Sequence, residues 1–600
     1  MNRFTQTVVC DFEYEVTDGD LPNVLCMVAY VLDENRQHVH TIRLWRGEFG
    51  RVPPFDVGPD TLFVAYSAWA ELTCFMVLGW RFPEHVFDLH TAYLSATNIL
   101  LPYDPNEIRK RQHKRLPDAC RSYGVGGWEN IDKGTIAKDI GEGRWQDYGI
   151  NQVYEYCEED VRASTHLFKR MLEGRPLLPA SNLDLVLHWS NYSSKAVAQI
   201  QARGMPIDMV LWNKVQENKP IVIKHLLERL DPSHNSNDPI YTLDGHFEYD
   251  RFERWLAEQG VLAWPRTETG MLQVDGDAFR LMYHVPGIEA LHALRDSLGV
   301  IVRAKLPIGR DGRNRPKLFP FCTKTGRNAH ASSLFNAHAG MRSFMKFGED
   351  VTVVYLDWRT QEVGVAAALS GDEALMQAYS AGDVYHAFAL AIGATEDRDP
   401  AHWKLAEKAM RQRMKSLVLA VNYGMSVPSL AKGMNRHPII ASTIVERLKR
   451  TYPAFWAWRD TEVAQAMLER EIKSELGWAL RISHSPNRRA LYNFPMQSNG
   501  AEMLRLAAVR MCEDGLVPNM LVHDGLLLEL HSDWQVEQAK EIMRWASREV
   551  CRGFEIGADV DQELRHGARF RDKREMAQKM WSAVVTALQE VGAVEPGEVS

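Results

Sequence analysis

The sequence predicts a multidomain chain of mixed α/β and α+β class, on three observations. Strand-like and helix-like stretches alternate from residue 1 to about 175, the pattern of an α/β unit. A mostly helical stretch follows from about 184 to 304. Apolar strand-like runs then flank a second long helical stretch. The length, 600 residues, corresponds to roughly four domains at ~150 residues each.

The elements follow in order. VVCDFEYEV opens the chain as a strand, LPNVLCMVAYVL reads as a second and TLFVAYSAW as a third. NQVYEYCEEDVRASTHLFKRML has the apolar period of a long helix. EGRPLLPASNL (173–183) carries turn residues between periodic stretches and reads as a linker. The helical stretch beyond it is broken by PSHNSNDP (232–239). VTVVYLD (351–357) and NMLVHDGLLLEL (519–530) are strand-like, and the last ten residues read as a frayed tail.

Lys and Arg number 70 against 78 Asp and Glu, a net charge of −8. That balance does not exclude a polyanion partner, because what matters is where the positive charge sits. It is clustered, in RKRQHKR (109–115), RAKLPIGRDGRNRPK (303–317) and RHGARFRDKR (565–574). Each run reads either as solvated surface or, near chemistry-bearing motifs, as a phosphate track. Eight cysteines lie singly, with no CxxC pair, which argues against a structural zinc site and for a reducing compartment. The N-terminus lacks the apolar segment of a signal peptide, and no run of 18 apolar residues occurs. The expectation is a cytoplasmic protein without membrane contact.

Three C-terminal stretches carry candidate chemistry. In VVYLDWRTQEVGVAAALSGD, Asp357 stands at the end of a buried-type strand, and a helix carrying Glu362 begins near Thr360. Asp357 is either a helix cap or a ligand for a divalent cation. In NMLVHDGLLLEL, Asp524-Gly525 between apolar runs is a hairpin signal. A hairpin tip beside Asp357 would bring two carboxylates together, the arrangement that grips two Mg²⁺ for in-line phosphoryl transfer. Between them, HWKLAEKAMRQRMKSLVLAVNYGM places Lys404, Lys408, Arg411 and Lys415 on one helix face, continued by Leu419 and Tyr423 until Gly424 ends or bends the helix. A face of one sign repels itself unless an anion such as a triphosphate lies on it.

These stretches resemble motifs A, B and C of the family A DNA polymerases, the bacterial polymerase I class and its phage relatives. Arg411-x3-Lys415-x7-Tyr423-Gly424 is the most demanding match. The resemblance implies a thumb–palm–fingers right hand. It implies that Asp357 and Asp524 bind two Mg²⁺, with Mn²⁺ as a substitute, and that Arg411 and Lys415 hold the incoming dNTP. Lys415 would also protonate the leaving pyrophosphate. Tyr423, with Gly424 behind it, would pack near the templating base, and Glu362 would reject a ribose 2′-OH. His523 would contact the primer terminus. TKTGRNAHASSLFN resembles the family's TGR segment and NFPMQSNGAEMLRLA its N-x-P-x-Q segment, so Arg327, Asn493 and Gln497 would lie along the primer–template minor groove. Three positions depart from the family pattern: Gly525 replaces a Glu, Leu419 an aromatic, and Tyr385 a His, so that either Tyr385 or His386 would reach the triphosphate.

At the N-terminus, Asp11 and Glu13 share one strand face, and Tyr156 and Asp160 one helix face. Together they resemble the DEDDy 3′–5′ exonuclease motifs, on an RNase H-like domain. That implies metal binding by Asp11, Glu13, Glu71 and Asp160, with Tyr156 orienting the attacking water. In TLFVAYSAWAELTCF, Ser67 and Glu71 stand where the family has Asn and Asp, while the context of Asp88 suits a structural part of the fold.

The resulting expectation is an exonuclease domain over 1–175, a thumb with connecting helices over 176–305, palm over 306–372, fingers over 373–490 and palm again over 491–600. The expected function is template-directed DNA synthesis with proofreading, phage-type in size and layout and without a preceding 5′-nuclease. Its expected partners are primer–template DNA and dNTPs, with a processivity factor, helicase or single-strand-binding protein as further candidates. The alternatives are a single-subunit RNA polymerase-like nucleotidyltransferase and a catalytically decayed DNA-binding factor.

Overall fold

The computed structural model describes residues 3–595, apart from 18, 101–113, 127–132, 174–182, 262–263, 268–269, 284, 304–305, 332, 336, 435 and 484–485. The basic run at 109–113 and nearly all of the expected linker lie outside the described residues, as do 304–305 and the final five positions.

The N-terminal unit is a five-stranded sheet. Its strands are β1 (Gln6–Glu15), β2 (Asn23–Leu32), β3 (His38–Trp45), β4 (Thr61–Ala65) and, after helix α1 (Trp69–Leu78), β5 (His85–Asp88). The order is β3-β2-β1-β4-β5, antiparallel across the first three and parallel from β1 outward to β4 and β5, as expected of an RNase H-like sheet. Both faces are covered. Val8, Cys10, Phe12, Phe63 and Phe75 share a core on one side, while Val9, Val64 and Phe87 join another with α2 (Ile150–Leu172). That helix is held by a buried stripe of Val153, Cys157, Val161, Ser164 and Phe168, the spacing of one helical face. The strand β3 was not anticipated: HVHTIRLW has no buried residue and lies at the sheet edge, so no apolar alternation announces it.

The middle lobe, about 205–303, is helical as expected, with Leu226, Phe252, Leu291 and Leu294 in its core.

The C-terminal unit is organised by β6 (Thr352–Trp358). Its alternation sends Val354, Leu356 and Trp358 into the core shared with the N-terminal unit and Val353 toward the middle lobe. Helices α3 (Gln361–Ser370), α4 (Val384–Ile392) and α5 (Lys408–Asn422) follow, then α6 (Arg488–Glu513). The hairpin β7 (Met520–Val522) and β8 (Gly525–Leu530) pairs antiparallel with β6, and β9 (Ala558–Leu564) closes the other edge, giving the order β7-β8-β6-β9. A last helix, α7 (Glu575–Glu590), packs Met580, Val584 and Leu588 into the middle-lobe core, so the C-terminal 491–600 segment does not form a single body with the sheet. The expected fingers insert, 373–490, is likewise divided. Residues from Leu375 to Trp456 share one core, whereas Val463, Ile472, Trp478 and Ile482 join the core of the N-terminal unit. No helix among the described residues is long and apolar enough to cross a membrane.

Candidate active site

The first acidic site is built by β6 and the β7–β8 hairpin. Asp357 lies opposite Gly525 in register, which puts the hairpin tip, and with it Asp524, beside the strand end. Asp357 makes no helix cap: α3 starts after Thr360 without a side-chain cap. Burial, then the charges of Asp524 and Asp561, push the Asp357 carboxyl up to about 8, with Lys415 acting against them. Its Oδ1 is buried without a hydrogen-bond partner. A half-buried acid with an orphaned oxygen, facing a second acid, fits a divalent cation. Asp561 was not anticipated. It lies where β9 shifts register against Tyr355/Leu356, an irregularity that leaves it without a cross-strand partner.

The hairpin exists as the Asp-Gly signal implied, but one residue out of step. Val522 pairs with Gly525, so the turn residues are His523 and Asp524, and His523 takes the left-handed backbone (φ 54°). His523 is exposed at the tip.

On α5, Met414, Leu417, Val418 and Val421 are buried, and Lys408 and Lys415 are exposed. The continuous basic face expected from Lys404 to Lys415 is broken. Pro400–Ala406 is a separate helix, and Glu407 between the two leaves helical backbone (φ −113°, ψ 43°). Trp403, fully buried against His386, anchors that short helix by itself. Arg411 forms an ion pair with Asp383 and lies over the Tyr385 ring at 5.2 Å. His386 instead turns its Nε2 to the Asp397 carbonyl (2.7 Å), so of the two candidates Tyr385 is the one beside Arg411. Burial pushes the Tyr385 hydroxyl up to about 12. Leu419 is half-buried on the same helix, and Gly424 ends it with φ 69°. A Cβ there would lie 2.6 Å from Cδ2 of Tyr492.

Glu362 accepts from the Tyr423 hydroxyl and from Arg327 Nη2 (3.4 Å). Gln497 also bonds Tyr423, whose hydroxyl is raised by burial and by Glu362. The Asn493 Oδ1 is buried without a partner. Arg327 sits at the end of a tight turn, its N–H donating to Thr323 Oγ1 (2.9 Å), and lines a cleft of about 520 Å³ with His330, Arg342, Arg505 and His523. Sequence reading missed Arg342, which lies in no motif it singled out, and passed over Arg505, which lies inside the NFPMQSNGAEMLRLA segment but was assigned no role.

In the described parts of the basic runs, Arg569 and Arg313 are held by partners within the fold, while Arg565 and Arg574 are exposed and make surface ion pairs. Arg569 pairs with Asp208 (2.6 Å), Arg574 with Asp572 (2.7 Å), Arg313 with Glu529 (2.6 Å), and Arg565 with Asp533 (2.7 Å). Arg313 and Arg569 are therefore structural ion pairs and not free phosphate ligands.

The second acidic site lies on the N-terminal sheet. Asp11 and Glu13 project from β1, Glu71 from the first turn of α1, and Tyr156 and Asp160 from α2. Burial, then Asp11 and Asp160, raise the Glu13 carboxyl well above its usual range. Burial, then Asp11, do the same to Glu71, whose Oε2 is buried without a partner. Tyr156 is raised by burial and then by Asp160 and Glu13. Oxygens of Asp11 and Glu13 and the Cys157 sulfur lie within 4.8 Å of one another. This cluster also fits a divalent cation, and Cys157 is a neighbour that sequence reading missed. Asp88 is structural: it accepts from the Ser67 and His90 amides (3.0 and 3.1 Å) and from the hydroxyls of Thr91 and Ser193 (both 2.7 Å).

The model of DNA polymerase family A matches residues 326–569, a span that includes Arg327, Asp357, Arg411, Lys415, Tyr423 and Asp524. Over that span the chain is similar to DNA polymerase family A. The chain is 24% identical over 372 residues to DNA polymerase I of Aquifex aeolicus (strain VF5), covering 58% of this chain and 61% of that protein. It is 25% identical over 437 residues to the thermostable DNA polymerase I of Thermus filiformis, covering 67% of this chain and 50% of that one. The chain thus spans about half to three-fifths of these relatives. A solved structure of the POL domain of Pol1 from M. smegmatis, in complex with DNA primer-template and dNTP, superposes with a TM-score of 0.64 at 15% identity, covering 94% of this chain and 95% of that one. The chain shares that fold. The N-terminal acids lie outside the matched span.

Proposed function

We propose that this chain is a DNA-directed DNA polymerase of family A that adds dNMP to a primer 3′-OH, with a 3′–5′ exonuclease on its N-terminal sheet. The observation that carries the reading is the meeting of Asp357 and Asp524, one on a sheet strand and one on a hairpin tip, with the Asp357 Oδ1 buried and without a partner and Lys415 nearby. Mg²⁺ is the proposed cation at both acidic sites, held by Asp357 and Asp524 in one and by Asp11, Glu13, Glu71 and Asp160 in the other. Bound there, it supplies charge neutralisation at phosphate and a lowered pKa for the attacking oxygen.

The chain's own groups do the rest. Arg411, fixed by Asp383 and Tyr385, and the exposed Lys415 bind the triphosphate, and Lys415 gives a proton to the departing pyrophosphate. Glu362, held from both sides by Tyr423 and Arg327, closes the space of a ribose 2′-OH. Tyr423 with Leu419 and Gly424 borders the nascent pair. Arg327, Asn493 and Gln497 face minor-groove acceptors common to all pairs, and His523 meets the primer end. At the second site, Tyr156 orients the attacking water. In domain terms, 1–175 forms the exonuclease, 176–305 the thumb, 306–372 and 491–600 the palm, and 373–490 the fingers, with α7 and residues 463–482 contributing to neighbouring cores. The setting is DNA replication, phage-type, in a bacterial cytoplasm.

The test is primer extension on a defined template with Mg²⁺, run with dNTPs, with NTPs and without nucleotide. Extension with dNTPs alone and shortening without nucleotide are expected. Preference for NTPs would transfer the chain to the RNA-polymerase-like alternative, and no extension at all would leave a DNA-binding factor.

A further inference from the structure

The shifted hairpin has a physical cause. Gly525 has no left-handed backbone to justify a glycine; it is the first residue of β8, paired with Asp357. What excludes a side chain is Tyr355. A Cβ on Gly525 would overlap the Tyr355 hydroxyl, lie 2.6 Å from its Cζ and 2.9 Å from the Leu356 carbonyl oxygen. Tyr355 precedes Asp357 by two residues on β6, so both project from one sheet face. Its cross-strand partner is Leu527, yet its ring tip reaches residue 525, so the side chain leans along the strand toward the acids. The Phe335 ring backs it at 5.8 Å and 29°, and the Arg342 guanidinium lies 4.3 Å from the Phe335 centroid. Ring and glycine therefore fit as a pair.

We propose that Tyr355 is a positioning residue of the palm-side site: its hydroxyl occupies the place beside Asp524 that a side chain at 525 would take, and from there it is the donor available to the acidic pair when they grip a divalent cation, setting how tightly Asp357 and Asp524 hold it. This rests on the polymerase reading only for its consequence in catalysis; the cation affinity it predicts stands separately. Tyrosine supplies a donor without adding a third negative charge to the cleft.

The experiment uses the full chain carrying Asp11→Ala and Asp160→Ala, which removes the N-terminal site, and measures Mn²⁺ binding by electron paramagnetic resonance. Adding Tyr355→Phe is expected to weaken Mn²⁺ binding about tenfold, the usual cost of losing a partner behind a metal ligand. Unchanged affinity would overturn the proposal. A second arm compares melting temperatures. Gly525→Ala should destabilise strongly with Tyr355 present and much less with Tyr355→Ala, because most of the overlap is gone; equal losses in both backgrounds would overturn the packing half. In primer extension, Tyr355→Phe should need about tenfold more Mg²⁺ for half-maximal rate and regain near-parental rate at saturation. If the parent does not extend primers, the polymerase reading fails while the Mn²⁺ result still decides the role of Tyr355.

Discussion

The two acidic sites differ in what surrounds them. The Asp357–Asp524 pair has Lys415 among its neighbours, pulling Asp357 back toward ionisation. The neighbours that act on Glu13 and Glu71 are other carboxylates and a thiol, and they add to the effect of burial. A site with a built-in cation tolerates an empty state better than one that must borrow all its positive charge from a metal. The N-terminal cluster should therefore be the more dependent of the two on a bound cation for stability as well as chemistry.

Crossed substitutions break the comparison most severely. Asp524→Ala should lower primer extension on the order of 10³-fold and leave primer shortening intact, whereas Asp11→Ala should do the reverse. Gel assays on both variants check this, and a variant that lost both activities would show that the sites are not independent.

Next in size is the response to pH without metal. Acids whose folded pKa is raised bind more protons folded than unfolded, so stability falls as pH rises through the interval between the two values. For Asp357 that interval runs from its usual value of 3.8 to about 8. In chelator, the melting temperature should decline from pH 5 to pH 8, and divalent cation should abolish most of the slope. Glu71→Gln should flatten the metal-free slope and raise the melting temperature at pH 8, while abolishing primer shortening. A metal-free melting temperature that rises across this range would contradict the placement of the buried acids.

The smallest effect expected on nucleic-acid binding belongs to Arg569→Ala. Its guanidinium is committed to Asp208, so the salt dependence of DNA affinity should not change, while the melting temperature falls by several degrees. A salt slope reduced by about one would return this cluster to the phosphate track.

Much of this was legible because local signals and spatial neighbours coincided. The apolar run before Asp357 and the Asp-Gly hairpin signal each fixed an acid at the end of a strand, and two-residue spacing fixed Asp11 with Glu13. What was not legible depended on distant partners. Nothing near Arg569 reveals Asp208, far back in the chain, so the run looked like free charge. The break at Glu407 follows from Trp403 packing under His386, a tertiary effect that outweighs helix periodicity. The exposed strand β3 had no core face to announce it. Tyr355 was within reach of the spacing rule that paired Asp11 with Glu13, but its meaning needs Gly525 across the sheet.

The most direct measurement is anomalous diffraction from crystals grown with Mn²⁺, primer–template and a non-reactive dNTP analogue. The account predicts manganese peaks bridged by the carboxylates of Asp357 and Asp524, with the triphosphate on Arg411 and Lys415. Manganese held elsewhere, with those two carboxylates turned apart, would contradict it.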